Sequence, residues 1–272
     1  MSRPRPQCRP GYVSLNKVGL HYLEWGDSGP HVLVLHGATS MAINHAPFIE
    51  NLFPNCHVFA LDHRGHGHSS HTSSYSLEDF AKDTALFIDK LNIKDPLVLG
   101  HSLGGAVSMK LFGNYDIPIK KLVLKDIGAE ISQSAPSGPD RPERTTSWES
   151  YDAAYDHFVR LPQSLGDVSE FIANNLKWDR NGRLSVRWDP EFAKVITGGW
   201  DMWDEVSRID VPTLIPHGGK SNILSAYVAN RMVEVMPNAK LVEFENCGHL
   251  LEWEEPERFM DVIRHFAGKE FC

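Results

Sequence analysis

Six short apolar runs recur along the chain: HVLVLH (31–36), HVFALD (57–62), PLVLGH (96–101), KLVLKD (121–126), PTLIPH (212–217) and KLVEFE (240–245). They barely alternate, as strands do when helices cover both faces of a parallel sheet. Ahead of them, YVSLN and LHYLEWG alternate around KVG, which predicts a β-hairpin. Helical periodicity fills the gaps. In SLEDFAKDTALFIDKL, Leu77, Phe80, Ala81, Thr84, Phe87, Ile88 and Leu91 share one face. Ser76 is the expected cap, with Asp79 placed as the acid of a capping box. PERFMDVIRHFAGK predicts a terminal helix with Pro256 in its first turn.

The rhythm breaks between Ala129 and Trp203. A Ser/Pro/Gly-rich stretch, SQSAPSGPDRP, leads into weaker helical patterns rich in aromatics, among them Trp148, Phe158, Phe171, Trp188 and Trp203. The expected organisation is a flexible tail (1–10), an α/β core (11–128 and 204–272) and an inserted helical cap (129–203).

The length of 272 residues suits one large α/β domain. A formal net charge of −8, with no basic block beyond RPRP, makes nucleic acid and anionic membranes poor partners. No apolar run is long enough to span a bilayer, and the N-terminus lacks the apolar core of a secretory signal. A cytoplasmic protein is expected. Cys8, Cys56, Cys247 and Cys272 show neither metal-ligand spacing nor a disulfide framework. The oligomeric state, monomer or homodimer, is left open.

The sharpest chemical signal is Gly100-His101-Ser102-Leu103-Gly104, set between an apolar strand and a helical pattern. This is the G-x-S-x-G spacing of a nucleophile elbow. A serine on a sharp strand-to-helix turn stands clear of the sheet. Flanking glycines keep side chains out of the turn, and the helix N-terminus favours a developing oxyanion.

With this elbow, LHGATS (35–40), LDHRGHGHS (61–69) and CGHLLEWEEPERF (247–259), the chain resembles the α/β-hydrolase superfamily over nearly its whole length. The resemblance implies an α/β-hydrolase fold: a mostly parallel central sheet flanked by helices, with an inserted helical cap. It also implies a serine hydrolase with Ser102 as nucleophile and His249 as base. The backbone N–H groups of Ala38 and Leu103 would form the oxyanion hole. No cofactor or metal is implied. His63, His66, His68 and His71 cluster in sequence, but Gly65 and Gly67 make their segment a turn without ligand spacing, so a structural role is expected.

The base needs an orienting acceptor. Many relatives place an Asp in a loop matching HGGKSNIL, where this chain has Asn222. Asn222 itself is one reading, although an amide in this role costs about 10⁴-fold in a serine triad. Lost catalysis, leaving a ligand-binding sensor, is another. The third is Asp126, at the end of the strand after the nucleophile helix. Haloalkane-dehalogenase-like members and 2-(acetamidomethylene)succinate hydrolase carry their acid at that place. Asp126 is the expected acid and Asn222 the alternative.

The substrate is expected to be a small molecule, with ester or lactone cleavage first and amide, enamide or C–C hydrolysis second. Thr39, His45, His101, Trp148 and Trp203 are candidate substrate contacts. Arg144, Arg160, Arg180 and Arg187 lie in the cap region and are candidates to bind a carboxylate, although most arginines in such segments are simply solvated.

Overall fold

A computed structural model of the chain describes residues 8–131, 145–161, 167–192 and 198–271. Its centre is an eight-stranded sheet in the order β1-β2-β4-β3-β5-β6-β12-β13. The strands are β1 (Arg9–Leu15), β2 (Val18–Trp25), β3 (His31–Leu35), β4 (His57–Leu61), β5 (Leu97–His101), β6 (Lys121–Lys125), β12 (Thr213–Gly218) and β13 (Ala239–Phe244). β1 and β2 form the antiparallel hairpin, and β2 pairs antiparallel with β4. Every other neighbouring pair is parallel.

The apolar runs lack alternation because both faces of the sheet are covered. On β3, Leu33 and Leu35 pack into the layer formed with α2 (Leu77–Lys90), α3 (Leu103–Asn114) and Ala226–Val235. Val32 and Val34 pack the other way, with α1 (Ala46–Leu52) and the terminal helix Pro256–Ala267. Burying a large apolar side chain contributes about 1.5–3 kcal/mol. Phe80 and Phe87 on α2 are fully buried, so truncating either to Ala is expected to cost about 3–5 kcal/mol. Ser76 caps α2, accepting from Asp79 N at 3.0 Å.

Two expectations change. β1 starts at Arg9, so Arg9 and Pro10 pair with Glu24 and Leu23 and are not part of a flexible tail; residues 1–7 lie outside the described residues. The segment after β6 is also not purely helical. It leaves through β7 (Glu130–Ile131) and returns through β11 (Trp200–Asp201), which pair antiparallel. Between them, β8 (Ser147–Trp148), β9 (Leu176–Trp178) and β10 (Leu184–Val186) form a small antiparallel sheet beside α4 (Tyr151–Val159) and α5 (Val168–Asn175). The hairpin exists because Asp179 turns the chain: its Oδ1 accepts from Asn181 N and Arg183 N, and Gly182 takes φ 73°. The described residues also form helices α6 (Trp203–Val206), α7 (Ala226–Val235), α8 (Leu251–Glu254) and α9 (Pro256–Ala267). No helix of the described residues is long and apolar enough to cross a membrane.

Candidate active site

Ser102 sits between β5 and α3 at φ 50° and ψ −115°. A non-glycine residue there stores on the order of 1–3 kcal/mol of strain, tolerated where the surroundings fix it. The glycines explain how. A Cβ on Gly104 would lie 2.1 Å from the Leu35 carbonyl oxygen, and one on Gly100 would lie 2.6 Å from the Gly104 oxygen. Strand and helix therefore meet through bare backbone. Gly37 passes so close that a Cβ there would lie 3.2 Å from the Ser102 Cβ. Ala38 follows it and borders the same cavity as Ser102. Leu103 opens α3, so its amide is one of the first-turn N–H groups that lack an intrahelical acceptor.

His249 lies in the loop before α8 and lines that cavity too. Its Nδ1 is 2.6 Å from Asp126 Oδ2. Asp126 is fully buried, just past the end of β6, at φ 48°. Gly218 N–H donates to Asp126 Oδ1 at 2.9 Å, and the Ser221 hydroxyl donates to Oδ2 at 2.5 Å. Both donors belong to the HGGKSNIL stretch. Asn222, next to Ser221, is exposed, and the acceptor that meets His249 Nδ1 is Asp126 instead.

The cavity, about 230 Å³, is lined by apolar side chains of Phe158, Leu161, Phe171, Leu250 and Trp253, with Thr39, Asn44, His45 and His101 among its polar members. A second chamber of about 480 Å³ shares Thr39, Phe158, Leu161 and Phe171 with it and adds Trp148, His157 and Trp188. The overlying segment is tied to the core by a reciprocal amide pair. Asn44 Nδ2 donates to Asn175 Oδ1 at 2.8 Å, and Asn175 Nδ2 returns a bond of 2.9 Å.

Burial disfavours the charged form of the two other imidazoles in this cavity. Burial, then the Lys125 charge, pulls His45 down to about 4, with Glu252 opposing. Burial and the charges of Lys125 and His249 hold His101 well below its ordinary value. Its ring centroid lies 4.6 Å from that of His249.

The sequence matches the α/β-hydrolase fold family over residues 30–256. The chain belongs to this family. It is 25% identical to 3-hydroxybutyrate-oligomer hydrolase of Cupriavidus necator, across 96% of this chain and 98% of that protein. It is 26% identical to N-formylmaleamate deformylase of Pseudomonas putida, across 94% and 95%. The solved structure of E-2-(acetamidomethylene)succinate hydrolase superposes with a TM-score of 0.85 at 22% identity, covering 96% of this chain and 99% of that one.

In this α/β hydrolase, Ser102, His249, Ala38, Thr39, His45 and His101 border one cavity, and Trp148 borders the adjoining chamber. Trp203 borders neither. Its Nε1 donates to Glu130 Oε2 at 2.6 Å and Arg231 stacks 4.0 Å over its ring, which accounts for its orientation. Arg144 lies outside the described residues. Of the clustered histidines, His63 and His66 are buried, Nδ1 of His66 is 3.0 Å from the Arg64 carbonyl, and Nδ1 of His71 is 3.4 Å from Asp189 Oδ2. Sequence reasoning missed Ser221, Asn44, Lys125 and Glu252. A serine beside the absent acid was a usable signal for the first; nothing local marks the others.

Proposed function

We propose that the chain is a serine hydrolase that cleaves a small carboxylic ester or lactone through an acyl-enzyme. The observation that carries this reading is the 2.6 Å bond between His249 and a buried, doubly donated Asp126, beside a strained Ser102 in the same cavity. His249 takes the Ser102 proton as the hydroxyl oxygen attacks the carbonyl carbon. Asp126 holds the imidazole tautomer and stabilises the imidazolium. The N–H groups of Ala38 and Leu103 are the donors assigned to the tetrahedral oxyanion. His249 then gives its proton to the leaving alkoxide. Water, deprotonated by the same imidazole, releases the acid and restores Ser102.

Among the described residues the cavity lining contains no Lys or Arg, and it includes the carboxylate of Glu252. A dianionic substrate would face the phenylalanine, leucine and tryptophan side chains, because the Glu252 charge is already paired with Lys125. That favours a neutral ester or lactone, with an apolar arm in the Trp148–Trp188 chamber. Amide cleavage is the second reading, supported by the likeness to N-formylmaleamate deformylase. Turnover of p-nitrophenyl butyrate and of γ-lactones, abolished by Ser102→Ala, tests the proposal. Saturable ligand binding without turnover, unchanged in Ser102→Ala, would point to a sensor instead.

A further inference from the structure

We propose that the buried Lys125–Glu252 ion pair is a positioning clamp that sets the distance between the strand end carrying Asp126 and the loop carrying His249. This rests on reading Asp126 and His249 as a catalytic pair. Lys125 is the last residue of β6 and the peptide neighbour of Asp126. Glu252 stands in α8, three residues after His249. Their side chains are 1% and 4% exposed, and Lys125 Nζ donates to Glu252 Oε1.

The setting is apolar. The two charges lie with Val34, Phe48, Phe53, Leu99, Phe259 and the buried His45 imidazole, and Nζ is 5.5 Å from the centre of the Phe259 ring. Burial alone would raise the Glu252 carboxyl; the charge of Lys125 and its hydrogen bond oppose that, and the carboxyl lies below the usual carboxylate range. A buried ion pair is a weak source of stability, because apolar side chains of similar volume often pack as well or better. What it supplies here is a single register. Methyl groups can slide past one another, whereas separating Glu252 from Lys125 leaves two unpaired charges in an apolar layer.

The His249 loop is held from its other side by separate bonds. Lys220 N–H donates to the Cys247 carbonyl, and Gly248 N–H donates to Glu254 Oε2, both at 2.9 Å. Those contacts link the loop to the β12 end and to α8. Lys125–Glu252 links α8 to β6, the strand that delivers Asp126. With only Leu250 between His249 and α8, a shift of α8 is passed directly to the imidazole.

The test is the double variant Lys125→Met/Glu252→Met, assayed on p-nitrophenyl butyrate, with Tm and the downfield proton resonance of His249 Nδ1–H. The expected result is a Tm at or above that of the parent, kcat lowered at least tenfold, KM within threefold, and a shifted or broadened resonance. Glu252→Gln, which keeps a hydrogen bond to Lys125, is expected to retain more of kcat than the double variant. A folded double variant with kcat within twofold of the parent overturns the clamp. So does a loss confined to KM, which would make Glu252 a substrate contact. If the double variant does not fold, Glu252→Gln decides: kcat lowered at least threefold with KM unchanged and a shifted His249 resonance supports the clamp, and parent-like kcat and resonance overturn it. Asp126→Asn run in parallel separates the two ideas. Parent-like activity there sinks the catalytic pair itself, whereas its loss beside a fully active double variant sinks only the clamp.

Discussion

The Ser221 hydroxyl donates to Asp126 Oδ2 at 2.5 Å, across 95 residues of sequence. The loop that lacks an acid therefore serves the acid supplied by another strand. Gly218 N–H adds a second bond from the same loop, so the carboxylate is held on both oxygens. Asp126→Asn is expected to lower kcat about 10⁴-fold, and Asn222→Ala to leave it within twofold. Steady-state kinetics on one ester checks both, and a reversed pattern would return the orienting role to Asn222.

Ser221→Ala removes one donor from a buried carboxylate. Hydrogen bonds to charged groups contribute about 1.5–3 kcal/mol, so kcat is expected to fall about 10- to 100-fold with little change in KM. Ser221→Thr, which keeps the hydroxyl, should recover much of that loss. Equal loss in both variants would count against the hydrogen bond.

Gly218→Ala should be worse than its size suggests. A Cβ there would lie 1.9 Å from the Gly248 carbonyl oxygen, in the turn that carries His249. Loss of activity by more than about 100-fold is expected, since a misplacement near 1 Å can cost that much, together with a lower Tm. An active, equally stable variant would contradict the close approach.

Acid should destabilise the protein well before its carboxylates titrate. Burial keeps His36, His45, His63, His66 and His101 neutral, with values near 4 for His45 and His66 and near 3 for His63. In the unfolded chain each protonates near pH ~6.5. Between that pH and the lower folded values the unfolded state binds more protons, so stability falls as pH falls. The slope approaches about 1.4 kcal/mol per pH unit for each histidine. Asp62 acts in the same direction at still lower pH. Burial would raise it, but the hydrogen bonds from His21, Ala42 and His68 hold it low. The urea midpoint should drop clearly between pH 7.5 and 5.5, and His63→Phe should flatten that drop. A midpoint constant across this range would refute the account.

Much of this molecule is local enough to be read from the chain. The parallel sheet was legible because β3 to β6 bury both faces and so lack alternation. The elbow was legible because its glycines are demanded by contacts within one strand–turn–helix unit. The helix cap at Ser76 was legible for the same reason. The segment after β6 was harder. Its hairpin depends on the Asp179 turn, and its aromatic residues mimic a helical stripe.

The tertiary structure alone decided which groups meet across long separations. Ser221 reaches Asp126, Asn44 pairs with Asn175, and Lys125 finds Glu252, each through residues that look unremarkable in their own stretch. Trp203 shows the converse, an expected substrate contact that the fold commits to Glu130 and Arg231. Periodicity reports which face of an element is buried. The partner of a polar side chain depends on how strand ends and loops converge, and no spacing along the chain encodes that.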